Sequence, residues 1–218
     1  MPLAKALYEL AETADRRPKV VAEYERKMTD TRALARLARR EIRSDFPLLH
    51  GHAVVSTWSA IEAAVEDVAV AVLLYDPRAQ SLDAIGRVKL SVGDFARLNE
   101  EQRARAILRD VQRSLGAEQR LGINAFEVVL TSVGFSGAVD KGVARSILEL
   151  QQLRHIIVHR ASVADRRFVE ICPWLRTKVG QRIRITEKQF ETLAIAAIAY
   201  LRIVADRVFD KYPRRPRP

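Results

Sequence analysis

Apolar residues recur at helical spacing along most of the chain, and this pattern predicts a mainly helical fold. From Leu3 to about Arg43 they lie three or four positions apart, with Pro18 expected to break or kink the segment. A second helix is predicted from about His50 to Tyr75. Its apolar residues surround nearly the whole circumference, so we expect other elements to cover this helix on several sides.

Capping residues predict where the next helices begin. We expect Asp94 to cap a third helix that ends near Gly116, and Asn124 to begin a fourth. Asp140 precedes a further run of helical periodicity and is the predicted cap of a fifth helix over about residues 141–160. This fifth helix also contains arginines and histidines, which an apolar helix stripe does not need for packing.

The pattern changes from helical spacing to alternation after the fifth helix. The segments RFVEIC (167–172) and QRIRIT (181–186) alternate apolar and polar residues, which predicts a short β-hairpin or an extended arm. Thr186 and Gln189 then have the spacing of a capping box, which predicts a last helix over about residues 187–210. The predicted fold class is therefore mainly α: a helical bundle with a short β-hairpin or extended arm before the last helix.

The chain is expected to form one bundle with a basic segment at each end. Residues 1–44 are predicted to be a basic helical segment that packs on the bundle, and residues 45–210 form the helical domain. Residues 211–218, KYPRRPRP, are predicted to be a disordered basic tail. The sequence contains neither internal repeats nor an interior linker that would indicate a further domain boundary.

Positive charge is in excess along the chain. Lysine and arginine number 37 against 27 aspartates and glutamates, a formal net charge of +10. This balance favours a polyanionic partner, above all nucleic acid, although an anionic membrane or a solvated basic surface would fit it too. One face of the first predicted helix, which a solvated surface would explain equally well, contains the arginines that we expect to contact RNA: Arg32, Arg36, Arg40 and Arg43.

Cysteine content and the length of the apolar runs indicate the compartment. Cys172 is the single cysteine, which excludes an intrachain disulfide and fits a reducing environment. No uncharged apolar run approaches the roughly 18 residues that a membrane-spanning helix needs. We therefore expect a soluble, cytoplasmic protein that does not associate with membranes.

The segment LRHIIVHR, residues 153–160, brings Arg154, His155, His159 and Arg160 close together. On a helix the two histidines are at i and i+4, one turn apart on the same face, which would fit half of a metal site. The glutamate of the zinc-protease motif is missing between them, and no third ligand is signalled nearby. We therefore expect no metal and no cofactor, while a metal enzyme remains an open alternative.

The same side chains suit RNA cleavage without a metal. Histidine takes up and returns a proton near neutral pH, and the planar arginine fork fits the oxygens of a phosphate. A base beside an anion clamp is what strand cleavage needs when the 2′-hydroxyl of RNA is the nucleophile, and DNA lacks that hydroxyl. One difficulty is geometric, because positions i and i+5 lie about 140° apart on an ideal helix. Arg154 and His159 therefore need a long reach, a distorted helix end or a partner subunit to act together.

The residues of this segment resemble the signature of a known family. LRHIIVHR is similar to the Arg-polar-x-x-x-His signature of the HEPN superfamily, with His155 in the polar position. WSAIEAAVEDVAVAVL resembles the early helix of that family, including its glutamate. ILELQQLRHIIVHRASVADRRF and the later VGQRIRIT resemble the region around and after the motif in stand-alone prokaryotic HEPN proteins of the RiboL-PSP type. The resemblance covers roughly residues 45–210.

This resemblance implies a helical bundle that forms a homodimer through the motif helices, so that two Arg–His pairs share one cleft. Active members of the family are metal-independent endoribonucleases, often toxins or phage-defence effectors. RNA is therefore the implied substrate, and an antitoxin or regulatory protein is an implied partner. Arg154 and His159 match the catalytic positions and His155 the assisting polar position, while Glu62 matches the acid of the early helix and Arg160 is a supporting neighbour.

Several of these residues also have structural explanations. His159 could interact with the dipole at the C-terminal end of its helix, and Glu62 could pair with a basic group in the bundle. The polar position of the family is more often asparagine than histidine. Ala161 replaces the tyrosine that some members carry for modification by an antitoxin, which argues against that mode of regulation. A non-catalytic module that binds RNA or a protein is the alternative to a nuclease.

Overall fold

A computed structural model of the protein describes residues 17–213, and these residues are mainly helical, as the sequence predicts. The predicted helical residues before position 17, and residues 214–218 of the predicted tail, lie outside the described residues. The chain divides into two compact units, one up to Pro47 and one from Leu48 onwards.

The first unit contains a long helix, α1 (Arg17–Arg43). Local contacts support it, among them an ion pair between Lys27 Nζ and Glu23 Oε1 at 2.7 Å, one turn apart. The packing of this segment on the bundle remains a prediction. All the arginines that were expected to contact RNA have exposed side chains on this helix: Arg32, Arg36, Arg40 and Arg43.

The second unit is built around α2 (Pro47–Tyr75), whose fully buried residues lie mainly on one face. Ala60, Ala63 and Ala71 on the other face are exposed, so the helix is covered less completely than its apolar sequence predicts. Val54, Ile61 and Ala69 of this helix are completely buried. The main helices that follow are α5 (Glu100–Ser114), α6 (Asn124–Ser132), α7 (Lys141–Arg160) and α9 (Glu187–Lys211). The shorter ones are α3 (Asp83–Gly86), α4 (Val92–Ala96) and α8 (Arg166–Ile171), with single 3-10 turns at Ala79–Ser81, Ala117–Gln119 and Pro173–Leu175.

The third predicted helix is divided in two, so the prediction that Asp94 caps it was wrong. Asp94 lies inside the short α4, and Asn99 caps α5 instead. The Asn99 side chain accepts a hydrogen bond from the Gln102 backbone N–H at 2.9 Å, and the Gln102 side chain accepts one from the Asn99 N–H at 3.0 Å. This reciprocal pair satisfies two backbone donors that the helix itself leaves unpaired, which explains why α5 begins there.

Helix α7 begins where the sequence predicts and packs against α9. Asp140 caps it by accepting hydrogen bonds from the backbone N–H groups of Gly142 and Val143. Thr186 caps α9 by accepting from the Gln189 N–H at 3.3 Å. The Gln189 side chain does not complete the predicted capping box, because its amide donates to Glu149 Oε1 of α7 at 2.8 Å. The hydrogen bond of the Gln189 side chain thus links the start of α9 to α7.

The predicted β-hairpin is not formed by the described residues, because its first segment is the helix α8. Asp165 caps this helix, and Phe168 and Cys172, four positions apart, are both 1 % exposed. Their spacing buries them on one helical face just as alternation would on a strand, so the sequence pattern was ambiguous. The second segment is extended and forms one antiparallel bridge, between Arg182 and Val163.

We expect Asp165→Ala to lower the free energy of unfolding by about 0.5–2 kcal/mol, measured by urea denaturation. The reason is that Asp165 Oδ1 accepts the Phe168 backbone N–H at 2.8 Å at the start of α8. Asp165→Asn keeps a side-chain oxygen for this bond and should cost less. An equal loss in both variants would contradict the capping role and point to the ion pair of Asp165 with Arg160.

The prediction that residues 211 and 212 are part of a disordered tail was wrong, because these residues are ordered against the bundle. Lys211 is the last residue of α9, and its ammonium donates to the Gly134 carbonyl at 3.2 Å. The Tyr212 hydroxyl donates to Asp76 Oδ2 at 2.6 Å, and burial together with this bond raises the pKa of Tyr212 to about 12. These contacts hold the end of α9 against the loop after α2.

Candidate active site

The motif residues lie on the last turns of α7, which its apolar face fixes in the bundle. Ile147, Leu150, Leu153 and Ile156 are completely buried on that face. The helix ends at Ala161, whose backbone is in the left-handed region with φ 48°. Backbone pairing then holds the chain beyond the helix, because the N–H of residue 183 donates to the carbonyl of residue 162 at 2.8 Å. The motif side chains therefore project from a fixed helix end.

Arg154 and His159 contact each other within a single chain. Arg154 Nη1 lies 3.4 Å from His159 Nε2. Of the three ways in which the sequence allowed them to meet, the long reach of the arginine side chain is the one observed, without a partner subunit. An arginine can only donate, so this contact is a hydrogen bond in the His159 tautomer that has its proton on Nδ1 and a free lone pair on Nε2. His159 thereby presents a basic nitrogen at the guanidinium.

His155 lies beside this pair, one helical turn before His159. The centroids of the two imidazole rings are 5.0 Å apart and the rings are inclined at 48°. Burial lowers the pKa of His155, and a positive charge on nearby His159, whenever it is protonated, acts in the same direction. His155 is therefore neutral over a wider pH range than a free histidine, and a neutral imidazole both donates and accepts a hydrogen bond.

Arg154 is held without a carboxylate partner among residues 17–213. Its Nε is buried and has no hydrogen-bond acceptor there. Its neighbour Arg160 differs, since Arg160 Nε lies 3.5 Å from Asp165 Oδ2. Arg160, predicted as a supporting residue, therefore contacts the cap of α8 rather than the Arg154–His159 pair. The guanidinium of Arg154 remains available for an anion such as a phosphate.

Glu62 faces the same cavity as two of the motif residues. This cavity, of about 690 Å³, is lined by Glu62 of α2 and by Arg154 and His155 of α7. His159 is exposed and is not among the lining residues. Glu62 forms no ion pair within the described part of the chain, so the pairing with a basic group that would explain it structurally is not seen there. The structure thus brings Arg154 into contact with His159, and Glu62 shares a cavity with Arg154 without a direct contact to it.

Other polar residues of this cavity were not identified by the sequence analysis. Gln112 comes from α5, Arg120 from the loop before α6 and Arg167 from α8. They belong to separate segments of the sequence, so no local spacing of residues predicts that they line one cavity. Only Arg167, seven positions after Arg160, is close enough to the motif in the sequence to be considered together with it. The arginines of α1 belong to the other unit, and their expected contact with RNA remains a prediction.

The histidine pair is the candidate for half of a metal site. Within residues 17–213, no group of three or more histidine, cysteine, aspartate or glutamate side chains is placed so that it could hold a metal ion. Cys172 is buried, and burial raises the pKa of its thiol to about 12, so the thiolate that binds metals is disfavoured there. None of the described helices is both long enough and apolar enough to cross a membrane.

Comparisons of the chain with protein-family models, with curated proteins and with solved structures found no match.

Proposed function

We propose that this protein is a metal-independent endoribonuclease of the HEPN type that cleaves RNA by attack of the 2′-hydroxyl. The observation that supports this most directly is the 3.4 Å contact between Arg154 Nη1 and His159 Nε2. It places a basic nitrogen and a guanidinium without a carboxylate partner at one point of the surface. These are the two groups that the reaction requires: one to move a proton and one to bind the phosphate.

In this mechanism Arg154 binds the non-bridging oxygens of the scissile phosphate. His159 Nε2 takes the proton of the 2′-hydroxyl, whose oxygen forms a bond to phosphorus while the bond to the 5′-oxygen breaks. The contact of 3.4 Å between Arg154 and His159 is long for a hydrogen bond, so substrate groups can replace it. The leaving 5′-oxygen takes a proton, and the products carry a 2′,3′-cyclic phosphate and a 5′-hydroxyl.

The neighbouring residues have supporting roles in this proposal. His155, whose pKa is lowered by burial, orients the substrate or His159 through its ring nitrogens. Glu62 lines the same cavity as Arg154, and Arg160 stabilises the helix end through Asp165. The exposed arginines of α1 attract RNA by their charge: Arg32, Arg36, Arg40 and Arg43.

The assembly and biology of the protein are part of the same proposal. Two copies associate through their motif helices, so that two Arg154–His159 pairs line one cleft. Cleavage of cellular or phage RNA makes the protein a cytoplasmic toxin or a phage-defence effector. Such an activity needs restraint, which an antitoxin or a regulatory protein supplies.

The proposal is tested by incubating the purified protein with total RNA in excess EDTA. We expect cleavage that the chelator does not reduce, with cyclic phosphate ends that block ligation until a phosphatase removes them. A DNA oligonucleotide of the same sequence should stay intact, because it has no 2′-hydroxyl. Cleavage abolished by EDTA would favour the metal enzyme. RNA binding without cleavage would favour the alternative, a non-catalytic module that binds RNA or a protein.

A further inference from the structure

The cavity beside Arg154 has no assigned ligand in the proposed chemistry, although Arg154, His155 and Glu62 line part of it. Its volume, about 690 Å³, is within the range of small-molecule sites. Arg154 and His155 form part of its wall, so an occupant can contact the same arginine that binds the scissile phosphate in the proposed mechanism. An occupant that contacts Arg154 is therefore either part of the same RNA as that phosphate or a ligand that competes with it.

The interior of the cavity combines an apolar wall with a polar rim. Trp58 and Phe126 form the aromatic part of the wall, with ring centroids 4.8 Å apart, next to Val65 and Val129. These side chains are at most 5 % exposed, so they belong to the fixed core and present a small apolar area to the cavity. A nucleobase has flat apolar faces and a polar edge, and it matches such a surface.

The polar residues of the rim divide into those that already have partners and those that do not. Gln151 accepts the Gly122 N–H at 2.7 Å and donates to the carbonyl of Arg120 at 3.3 Å. Glu66 accepts from Arg105 at 2.8 Å. The side chain of Gln112, in contrast, forms no hydrogen bond with another residue of the described chain. Its half-buried amide therefore offers one acceptor and two donors to a ligand.

The charges around the cavity favour an anionic chain at its mouth. Arg120, Arg154 and Arg167 face three glutamates, of which Glu66 is neutralised by Arg105. The buried Nε–H of Arg154 adds a donor without an acceptor in residues 17–213. Apart from this ion pair, the lining contains two glutamates and three arginines, so positive charge is in slight excess.

We infer that this cavity receives the unpaired base of the nucleotide next to the scissile phosphate, and that Gln112 recognises the edge of that base. The inference rests on the proposed function, because it assigns Arg154 to the phosphate. A base can enter only after it leaves the stack, so the preferred substrate is a single strand or a loop rather than a duplex. Gln112 is then a specificity-determining residue.

The test measures binding by the full-length His159→Ala variant, which removes the proposed base and separates binding from cleavage. Its ligands are single-stranded RNA oligonucleotides with each base in turn at a single variable position in a uniform sequence, and the corresponding duplexes. We expect one base to bind about 5- to 100-fold more tightly than the weakest, because a bidentate amide contact contributes about 1–3 kcal/mol of discrimination. Duplexes should bind more weakly than single strands at the same salt concentration.

Two substitutions at Gln112 test the recognition itself, each in the His159→Ala background. Gln112→Leu should reduce the base preference to about 2-fold or less, since it removes the amide that contributes the discrimination. Gln112→Glu keeps the size and an acceptor but loses both donors, so the order of base preference should change. Gln119→Leu, an exposed glutamine outside the cavity lining, is the matched control and should leave the preference unchanged. Thermal unfolding of each variant checks that the fold is retained.

The outcomes separate this inference from the proposed function. If the base preference depends on Gln112 but the wild-type protein never cleaves RNA, base recognition in the cavity would be supported and the proposed nuclease activity contradicted. Cleavage by wild type, with a base preference that Gln112→Leu leaves intact, would overturn the cavity assignment alone. Equal affinity for single strands and duplexes would overturn it as well.

Discussion

Replacing His159 with alanine lowers the rate of RNA cleavage by about 10²–10⁴-fold, the usual contribution of a general acid–base group. The substitution removes the only group at this point of the structure that contacts Arg154 through a basic nitrogen. His159 is exposed at the end of α7, outside the buried face of that helix. The fold and the free energy of unfolding should therefore change little, and the loss should appear in the rate.

The measurement is the initial rate of cleavage of a fluorescent RNA in EDTA, with RNA binding recorded separately. His52→Ala is the matched control, because His52 is also an exposed histidine on a helix of the same unit. It should cleave like wild type. His155→Ala should reduce the rate by less than His159→Ala, because His155 lies beside the contact without taking part in it. Undiminished cleavage by His159→Ala would refute its assignment as the base.

The fold was predictable where a single local rule decides the structure. Asp140 caps α7 as predicted, because its side chain accepts hydrogen bonds from the backbone N–H groups two and three residues later, those of Gly142 and Val143. The rule failed for Asp94, where a nearby reciprocal pair, Asn99 with Gln102, offered two hydrogen bonds instead. It also failed for residues 167–172, where the buried pair of α8 fits a helical period as well as an alternating one. Competing local solutions, rather than weak signals, caused both errors.

The candidate site was predictable only in its sequential part. Arg154, His155 and His159 share one segment, and a spacing rule can assess them together. Helix geometry alone put Arg154 and His159 at an unfavourable angle, and the flexible arginine side chain removes this difficulty by its length. Gln112 reaches the cavity from α5, more than forty positions before the motif. Only the packing of the bundle determines that Gln112 and the motif residues line the same cavity.

Arg154→Met should lose cleavage without losing stability, and this combination distinguishes a functional arginine from a structural one. We expect the rate to fall by about 10²–10³-fold, as when one donor to the transition-state charge is removed. The free energy of unfolding should stay the same or rise, because the buried Arg154 Nε has no acceptor in the described chain. An unsatisfied buried donor costs about 1–3 kcal/mol, and methionine fills similar space without that cost.

Arg207→Met is the matched control for this prediction. Arg207 forms an ion pair with Glu127 at 2.9 Å, and both side chains are largely buried. Its removal leaves a buried carboxylate unpaired, so unfolding should cost about 3–5 kcal/mol less free energy than in wild type. Urea denaturation and the cleavage assay are run on both variants. A large loss of stability in Arg154→Met, comparable to that in Arg207→Met, would identify Arg154 as a structural residue.

Arg154 also allows the contact within one chain to be separated from a contact across a dimer. Arg154→Met and His159→Ala chains, co-expressed and purified together, contain one intact arginine and one intact histidine on different copies. Since Arg154 reaches His159 of its own chain at 3.4 Å, we expect the mixture to stay inactive. A mixture of wild type with the double variant keeps one complete pair and should retain activity. Recovery of cleavage in the first mixture would mean that the working pair forms between two copies, with the contact inside one chain as its resting arrangement.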